Sequence, residues 1–240
     1  MDSDLWHTYH DERPAADELF IWLLDFERLG KSSRFEVMLT EEERNRAARF
    51  YFEKDRRAFT ITRGYLKERL QTLSGLPVAD RNFEFNSQGK PYLKGSSFFF
   101  NVSHSGKKAL VALTPLAPVG VDVEAFRPDM GTEKIARRFF SEKEVGEFNA
   151  LPPEQRTQGF FNAWTRKEAF IKAVGLGLSM PLHSFDVTLT PGREARLTGA
   201  RHPGYDARDW HLEALPLAPP YAAAYCIKHT SARVRLWLAE

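Results

Sequence analysis

Trp164-Thr165-Arg166-Lys167-Glu168-Ala169-Phe170-Ile171-Lys172-Ala173-Val174-Gly175-Leu176-Gly177-Leu178 is the stretch from which the rest of the chain is read. Its first eleven residues predict a helix, because Trp164, Glu168, Ile171 and Gly175 fall at i, i+4, i+7 and i+11 on one face. A carboxylate thus sits on a stripe that is otherwise apolar or small. Lys172 follows Glu168 by one turn, and Gly175 is placed to close the helix in a left-handed conformation. Alone, the stretch describes an amphipathic helix with an i,i+4 Glu–Lys pair contributing roughly a few tenths of a kcal/mol. Other carboxylates and cations in the chain decide whether it does more.

Working outward toward the N-terminus, Ser141-Glu142-Lys143-Glu144 is a capping box opening a helix that ends before Pro152-Pro153. Thr132 to Phe140 reads as an amphipathic helix bearing Lys134, Arg137 and Arg138. Before it, Val119-Gly120-Val121-Asp122-Val123-Glu124 reads as a strand, with Asp122 and Glu124 on one face and Val121 and Val123 on the other. Pro115 and Pro118 bracket a connector, which divides the chain into residues 1–115 and a second half, 116–240, that carries the carboxylates. In the first half, Phe98 to Val102 is a strand running into Ser103-His104-Ser105-Gly106, and Ala109 to Leu113 is another. Asn86 to Tyr92 is turn chemistry. A helix from about Lys54 to Leu73 is closed by Ser74-Gly75 and preceded by a second capping box, Thr40-Glu41-Glu42-Glu43, whose helix extends to about Phe52. Leu19 to Leu24 is a buried strand, and residues 1–14 form a loose polar arm. Beyond Gly177 the pattern is β: Phe185 to Leu189, His211 to Leu215, Ala222 to Lys228 and Val234 to Leu238. Strands and helices alternate in both halves, which indicates a mixed α/β or α+β protein, and no internal sequence repeat is visible.

With 240 residues, 42% hydrophobic and 28% charged, the chain can bury a substantial core. A net charge of +2 is too small to argue for nucleic acid, though it suits an anionic ligand or an acidic protein partner. The single cysteine, Cys226, excludes an internal disulfide and a multi-cysteine metal site. Neither a signal peptide nor an apolar run of membrane-spanning length is present, so a soluble, cytoplasmic protein is expected.

Asp122 and Glu124 from a strand, and Glu168 from a helix face, are candidates for one site. A set of oxygen ligands selects a hard cation, Mg²⁺ or Mn²⁺, and Mg²⁺ commonly completes its shell with water and phosphate oxygens. Lys90 after a glycine, Ser103-His104-Ser105, and Lys172 beside Glu168 supply the groups a phosphate-bearing ligand needs. The P-loop, the dinucleotide-binding glycine pattern and the hydrolase nucleophile elbow are absent from the sequence.

These residues resemble a known family. Gly120-Val121-Asp122-Val123-Glu124, together with Trp164-Thr165-Arg166-Lys167-Glu168-Ala169 and Lys172-Ala173-Val174-Gly175, closely resembles the paired signatures of Sfp-type 4′-phosphopantetheinyl transferases. Gly89-Lys90-Pro91-Tyr92, Asn101-Val102-Ser103-His104-Ser105, Arg138-Phe139-Phe140-Ser141 and Gly177-Leu178-Ser179 agree in order and spacing over about residues 40 to 190. The resemblance implies an α+β fold of two similar α/β subdomains related by a pseudo-twofold axis. It implies Mg²⁺-dependent transfer of 4′-phosphopantetheine from coenzyme A to a serine of an apo acyl or peptidyl carrier protein, with release of 3′,5′-ADP. Carriers of this kind serve fatty-acid, polyketide or nonribosomal-peptide biosynthesis. By motif position, Asp122, Glu124 and Glu168 would hold the metal, Lys172 would contact the phosphate, and Ser103 and His104 would bind the 3′-phosphate side of the nucleotide. Lys90 and Arg63 would assist there, with Arg46 a further contact, although Glu43 stands where some relatives are basic. Glu168 is the expected acceptor of the serine proton, directly or through water. A monomer is expected, with the Thr132–Phe140 helix as the surface for an acidic carrier. The alternatives are a Mg²⁺-dependent nucleotide pyrophosphate hydrolase, in which water is the nucleophile, and a non-catalytic module that binds coenzyme A or a carrier.

Overall fold

The computed structural model describes residues 5–9, 13–127 and 129–240. In chain order, β1 (His7–Thr8) and β2 (Glu18–Asp25) lead to α1 (Ser33–Glu36), α2 (Glu41–Ala48) and α3 (Glu53–Ser74). The short strands β3 (Glu84–Phe85) and β4 (Pro91–Tyr92) follow, then β5 (Phe99–Ser105) and β6 (Lys108–Thr114). The second run is β7 (Val119–Ala125), α4 (Thr132–Phe139), α5 (Glu142–Ala150), α6 (Pro153–Val174), β8 (Phe185–Val187), β9 (Leu197–Ala200), β10 (His211–Ala214) and β11 (Tyr221–Ile227). β12 (Arg233–Leu238) ends the chain.

The two runs repeat one topology. Strand order β2-β6-β5 in one sheet matches β7-β11-β10 in the other, all pairs being antiparallel. Both long helices have 22 residues, and both are followed by a left-handed glycine, Gly75 at φ 71° and Gly175 at φ 79°. Each preceding helix, α2 and α5, starts in a capping box, Thr40 with Glu43 and Ser141 with Glu144. In each half the box glutamate also receives a buried lysine from the long helix: Lys67 reaches Glu43 at 2.8 Å and Lys167 reaches Glu144 at 2.7 Å. The sequence shows no repeat because only these few fixed points are shared, and the structure corrects that expectation at the level of architecture. The molecule is an α+β protein of two similar subdomains in pseudo-twofold relation.

Alternation along the central strands builds the layers. Phe20, Trp22 and Leu24 of β2 pack with Ile61, Leu66 and Leu70 of α3, while Leu19, Ile21 and Leu23 turn to the opposite face. There they meet Val121 and Val123 of β7 and Tyr225 of β11, so the two sheets share a central apolar layer. Phe160, Phe161 and Phe170 of α6 cover the outer face of the second sheet against Ala222, Ala224 and Cys226.

Several boundaries differ from the sequence reading. α6 begins at Pro153, a residue suited to a first helical turn because its missing N–H has no helical partner to lose. α2 ends at Ala48, and Phe52 is instead the extended N-cap of α3. The described part of the expected loose arm is anchored: Trp6 is buried and donates to Pro216 O at 2.9 Å, and β1 pairs in parallel with β12. β12 itself pairs in parallel with β2, so the end of the chain lies in the first sheet.

Candidate active site

The site forms where α6 lies on β7. A Cβ on Gly120 would stand 2.1 Å from Ala169 O and 2.4 Å from Ala173 N, so only glycine lets the helix backbone rest directly on the strand. Trp164 holds the helix laterally, stacked on Phe160 and edge-on to Phe139, and Ile171 is buried beneath it. From the inner side, the Lys167 ammonium donates to Leu182 O and Phe185 O, both at 2.7 Å. These contacts fix the rotation of α6 and carry Glu168 and Lys172 toward β5 and β7.

β5 and β7 are edge strands of different sheets, and they are stitched together by side chains instead of a backbone ladder. Asn101 Oδ1 accepts from Val121 N at 2.9 Å, Ser103 Oγ from Val123 N at 3.3 Å, and Ser105 Oγ from Ala125 N at 3.1 Å. The same hydroxyls orient the acids: Ser103 donates to Asp122 Oδ1 and Ser105 to Glu124 Oε2, each at 2.8 Å. The sequence reading gives Asn101 no separate role and offers Ser105 to a phosphate, whereas here both brace β7 and Ser105 orients Glu124. Their signal is a small polar residue at every second position, Asn101, Ser103 and Ser105, along β5.

Lys172 Nζ donates to Asp122 Oδ1 at 2.6 Å, to Ser103 Oγ at 3.1 Å and to Val121 O at 3.3 Å. The intrahelical Glu168–Lys172 pair of the simplest sequence reading is therefore not formed; the lysine reaches across to the strand. Glu168 makes no hydrogen bond or ion pair among the described residues, and burial, reinforced by the Asp122 charge, raises its pKa. Glu124 is raised by burial and then by Asp122. Asp122 Oδ2 is buried without a hydrogen-bond partner. These acids, with Val102, Ser103, His104, Trp164 and Lys172, line a cavity of about 460 Å³. No group of three His, Cys, Asp or Glu among the described residues closes around a point that could hold an ion. Asp122, Glu124 and Glu168 share the cavity as separated oxygen donors, and their mutual repulsion favours that spacing. An all-oxygen set with an unpartnered Asp122 oxygen and an unbonded Glu168 fits a hard cation.

His104 lies exposed at the cavity rim on β5, a strand that continues through Ser105. Lys90 borders an adjoining cavity of about 250 Å³ that shares Glu168 and Lys172. Its ammonium donates to Val119 O at 3.1 Å and Ala173 O at 3.0 Å, tying the β3–β4 hairpin to β7 and to the end of α6. Burial lowers its pKa to about 8. Arg46 and Arg63 line a different cavity, of about 460 Å³, between α2, α3 and β3. There the Arg63 guanidinium lies 4.6 Å over the Phe83 ring and 3.6 Å from the Glu43 carboxylate. The structure thus brings together Asp122, Glu124, Glu168, Lys172, Ser103 and His104, places Lys90 next door, and puts Arg46 and Arg63 elsewhere. No helix of the described residues is long and apolar enough to cross a membrane.

Comparison with known proteins agrees along most of the chain. Residues 118–226 match the model of the 4′-phosphopantetheinyl transferase superfamily, and residues 31–116 match that of the 4′-phosphopantetheinyl transferase N-terminal region. The chain is 35% identical over 205 residues to the 4′-phosphopantetheinyl transferase HetI of Nostoc sp., covering 82% of this chain and 86% of that protein. It is 30% identical over 202 residues to the 4′-phosphopantetheinyl transferase Sfp of Bacillus subtilis strain 168, covering 83% and 86%. Among solved structures, the holo-[acyl-carrier-protein] synthase of Thermotoga maritima aligns at 23% identity and a TM-score of 0.37, over 46% of this chain and 62% of that one.

Proposed function

This chain belongs to the 4′-phosphopantetheinyl transferase superfamily, and from that premise we propose that it moves the phosphopantetheine arm of coenzyme A onto a serine of an apo carrier protein. Its curated relatives are 4′-phosphopantetheinyl transferases over most of the chain. The carrying observation is that Asp122, Glu124, Glu168 and Lys172 border one cavity, with their orientation set by β5 and α6.

Asp122, Glu124 and Glu168 would hold Mg²⁺, or Mn²⁺ in its place. Bound there, the ion supplies positive charge opposite the pyrophosphate of coenzyme A. The chain's own residues supply the rest. Lys172, on the cavity wall beside Asp122, presents its ammonium to the phosphate that departs, and Ser103 and His104 take the 3′-phosphate side at the rim. Lys90 assists from the adjoining cavity, and Arg46 and Arg63 offer nucleotide contacts from theirs. Glu168, which no donor among the described residues claims, accepts the proton from the carrier serine Oγ, directly or by way of a water. That oxygen bonds to the phosphorus joined to pantetheine, the pyrophosphate bridge breaks, and 3′,5′-ADP leaves with the electron pair.

An acidic acyl or peptidyl carrier docks on α4, where Lys134, Arg137 and Arg138 are exposed while Ile135, Ala136 and Phe139 pack inward. The enzyme acts as a cytoplasmic monomer of two units that divide near residue 115, with β12 returning from the second half to complete the first sheet. Incubation with coenzyme A and Mg²⁺, with and without apo carrier, tests the reading. 3′,5′-ADP is expected only when carrier is present; equal release without carrier would make water the nucleophile.

A further inference from the structure

On the side of α6 away from the carboxylates lies a cavity of about 610 Å³ whose lining includes Gln158, Asn162, Arg166, Arg193, Glu213 and Tyr221. Arg166 is 3% exposed, and a buried guanidinium is normally matched by a carboxylate because an unpaired buried charge is costly. Here it is not. Nη1 donates to Thr188 O at 2.6 Å and Thr188 Oγ1 at 3.2 Å, Nε is buried with no partner, and Nη2 makes no hydrogen bond among the described residues. No neighbouring charge acts on the group. Glu213, one of two acids in the lining, is already held by Tyr225 Oη at 2.7 Å and His211 Nε2 at 3.2 Å. Glu194, also in the lining, pairs with Arg196.

The pair Nε and Nη2 is the side edge of the guanidinium, two parallel N–H donors that fit the two oxygens of a carboxylate. We propose that this cavity is a binding site for a small-molecule carboxylate, held bidentately by Arg166 and separate from the carboxylate-lined cleft. A monoanionic carboxylate balances the one buried charge, and the uncharged amides of Gln158 and Asn162, bonded to each other and to Leu189 O, border the same space. A dianionic phosphate would carry a surplus charge facing Glu213 and Glu194. Arg193, whose side chain makes no ion pair among the described residues, adds attraction at the margin.

The test uses the full chain and succinate as probe, at ionic strength held constant with chloride, reading the Arg166 Nε–H resonance in ¹⁵N-labelled protein. A saturable shift is expected in the wild type and in Lys172→Ala, which alters only the other cleft. Arg166→Met should bind succinate at least about tenfold more weakly. Arg166→Lys, which keeps the charge and loses the fork, should also be weakened, and it serves with the wild-type resonance if the methionine variant misfolds. The proposal is overturned by no saturable shift in the wild type, by undiminished binding in Arg166→Met or Arg166→Lys, or by loss in Lys172→Ala. Tighter binding of inorganic phosphate than of succinate would overturn the assignment to carboxylates.

Discussion

Glu168 joins an apolar helix stripe to a polar crevice. Its neighbours on the stripe, Trp164 and Ile171, pack into the core, while its own carboxylate stays unbonded beside Asp122 and Lys172. Glu168→Gln should therefore fold normally and lose turnover by about a hundredfold or more, the range of a removed general base or metal ligand. Near-normal kcat in a folded Gln variant would remove Glu168 from the mechanism. Lys90 has a second, measurable signature. Burial depresses its pKa from the ordinary lysine value to about 8. Below pH 8 folded and unfolded chains hold this proton alike. Between pH 8 and the unfolded value near 10.4 the unfolded chain binds more protons, so this group makes stability rise with pH there. Its ¹³Cε resonance should titrate with a midpoint near 8; an ordinary lysine midpoint would show that the ammonium is solvated and does not bridge Val119 and Ala173.

Gly120 shows how one missing side chain positions an element. Gly120→Ala drives a Cβ into the α6 backbone, which cannot yield as a flexible side chain could. A loss of roughly 1–3 kcal/mol or more is expected, with activity falling further as α6 lifts from β7; an unchanged denaturation midpoint would contradict the close packing. α4 makes the opposite kind of contribution, through charge on a solvated face. Arg137→Glu with Arg138→Glu should raise KM for carrier several-fold and leave coenzyme A affinity unchanged, and an unmoved carrier KM would place docking elsewhere. At this level the sequence was informative wherever a local rule was strong. Both capping boxes, the left-handed Gly75 and Gly175, and the in–out alternation of β7 follow from neighbours along the chain. The start of α6 was not legible, because adjacent prolines suggest a break and also suit a first helical turn. Nor was the partner of Lys172: helical spacing offers Glu168, while the better-placed Asp122 lies 50 residues away in the chain.

The whole molecule is a duplicated unit in which only one copy carries acids in the interior of its first long strand. Lys67-Glu68 of α3 occupies the position of Lys167-Glu168 of α6 in helices of equal length, yet β2 is apolar from Leu19 to Leu24 where β7 has Asp122 and Glu124. The free edge of β2 is filled by β12, whereas the matching edge of β7 meets β5 only through Asn101, Ser103 and Ser105. One edge is closed by backbone pairing and the other is left as a crevice lined by Asp122, Glu124 and Glu168. This asymmetry could not be read from the sequence, since it depends on a parallel pairing between residues more than 200 positions apart. In the proposed reading the transfer takes place in this asymmetric cleft, and one measurement addresses that directly: intact-mass spectrometry of candidate apo carriers after incubation with the protein, coenzyme A and Mg²⁺. A gain of one phosphopantetheine on a single serine, absent with Glu168→Gln, is the expected result. Unmodified apo acyl and peptidyl carriers in the presence of folded protein would contradict it.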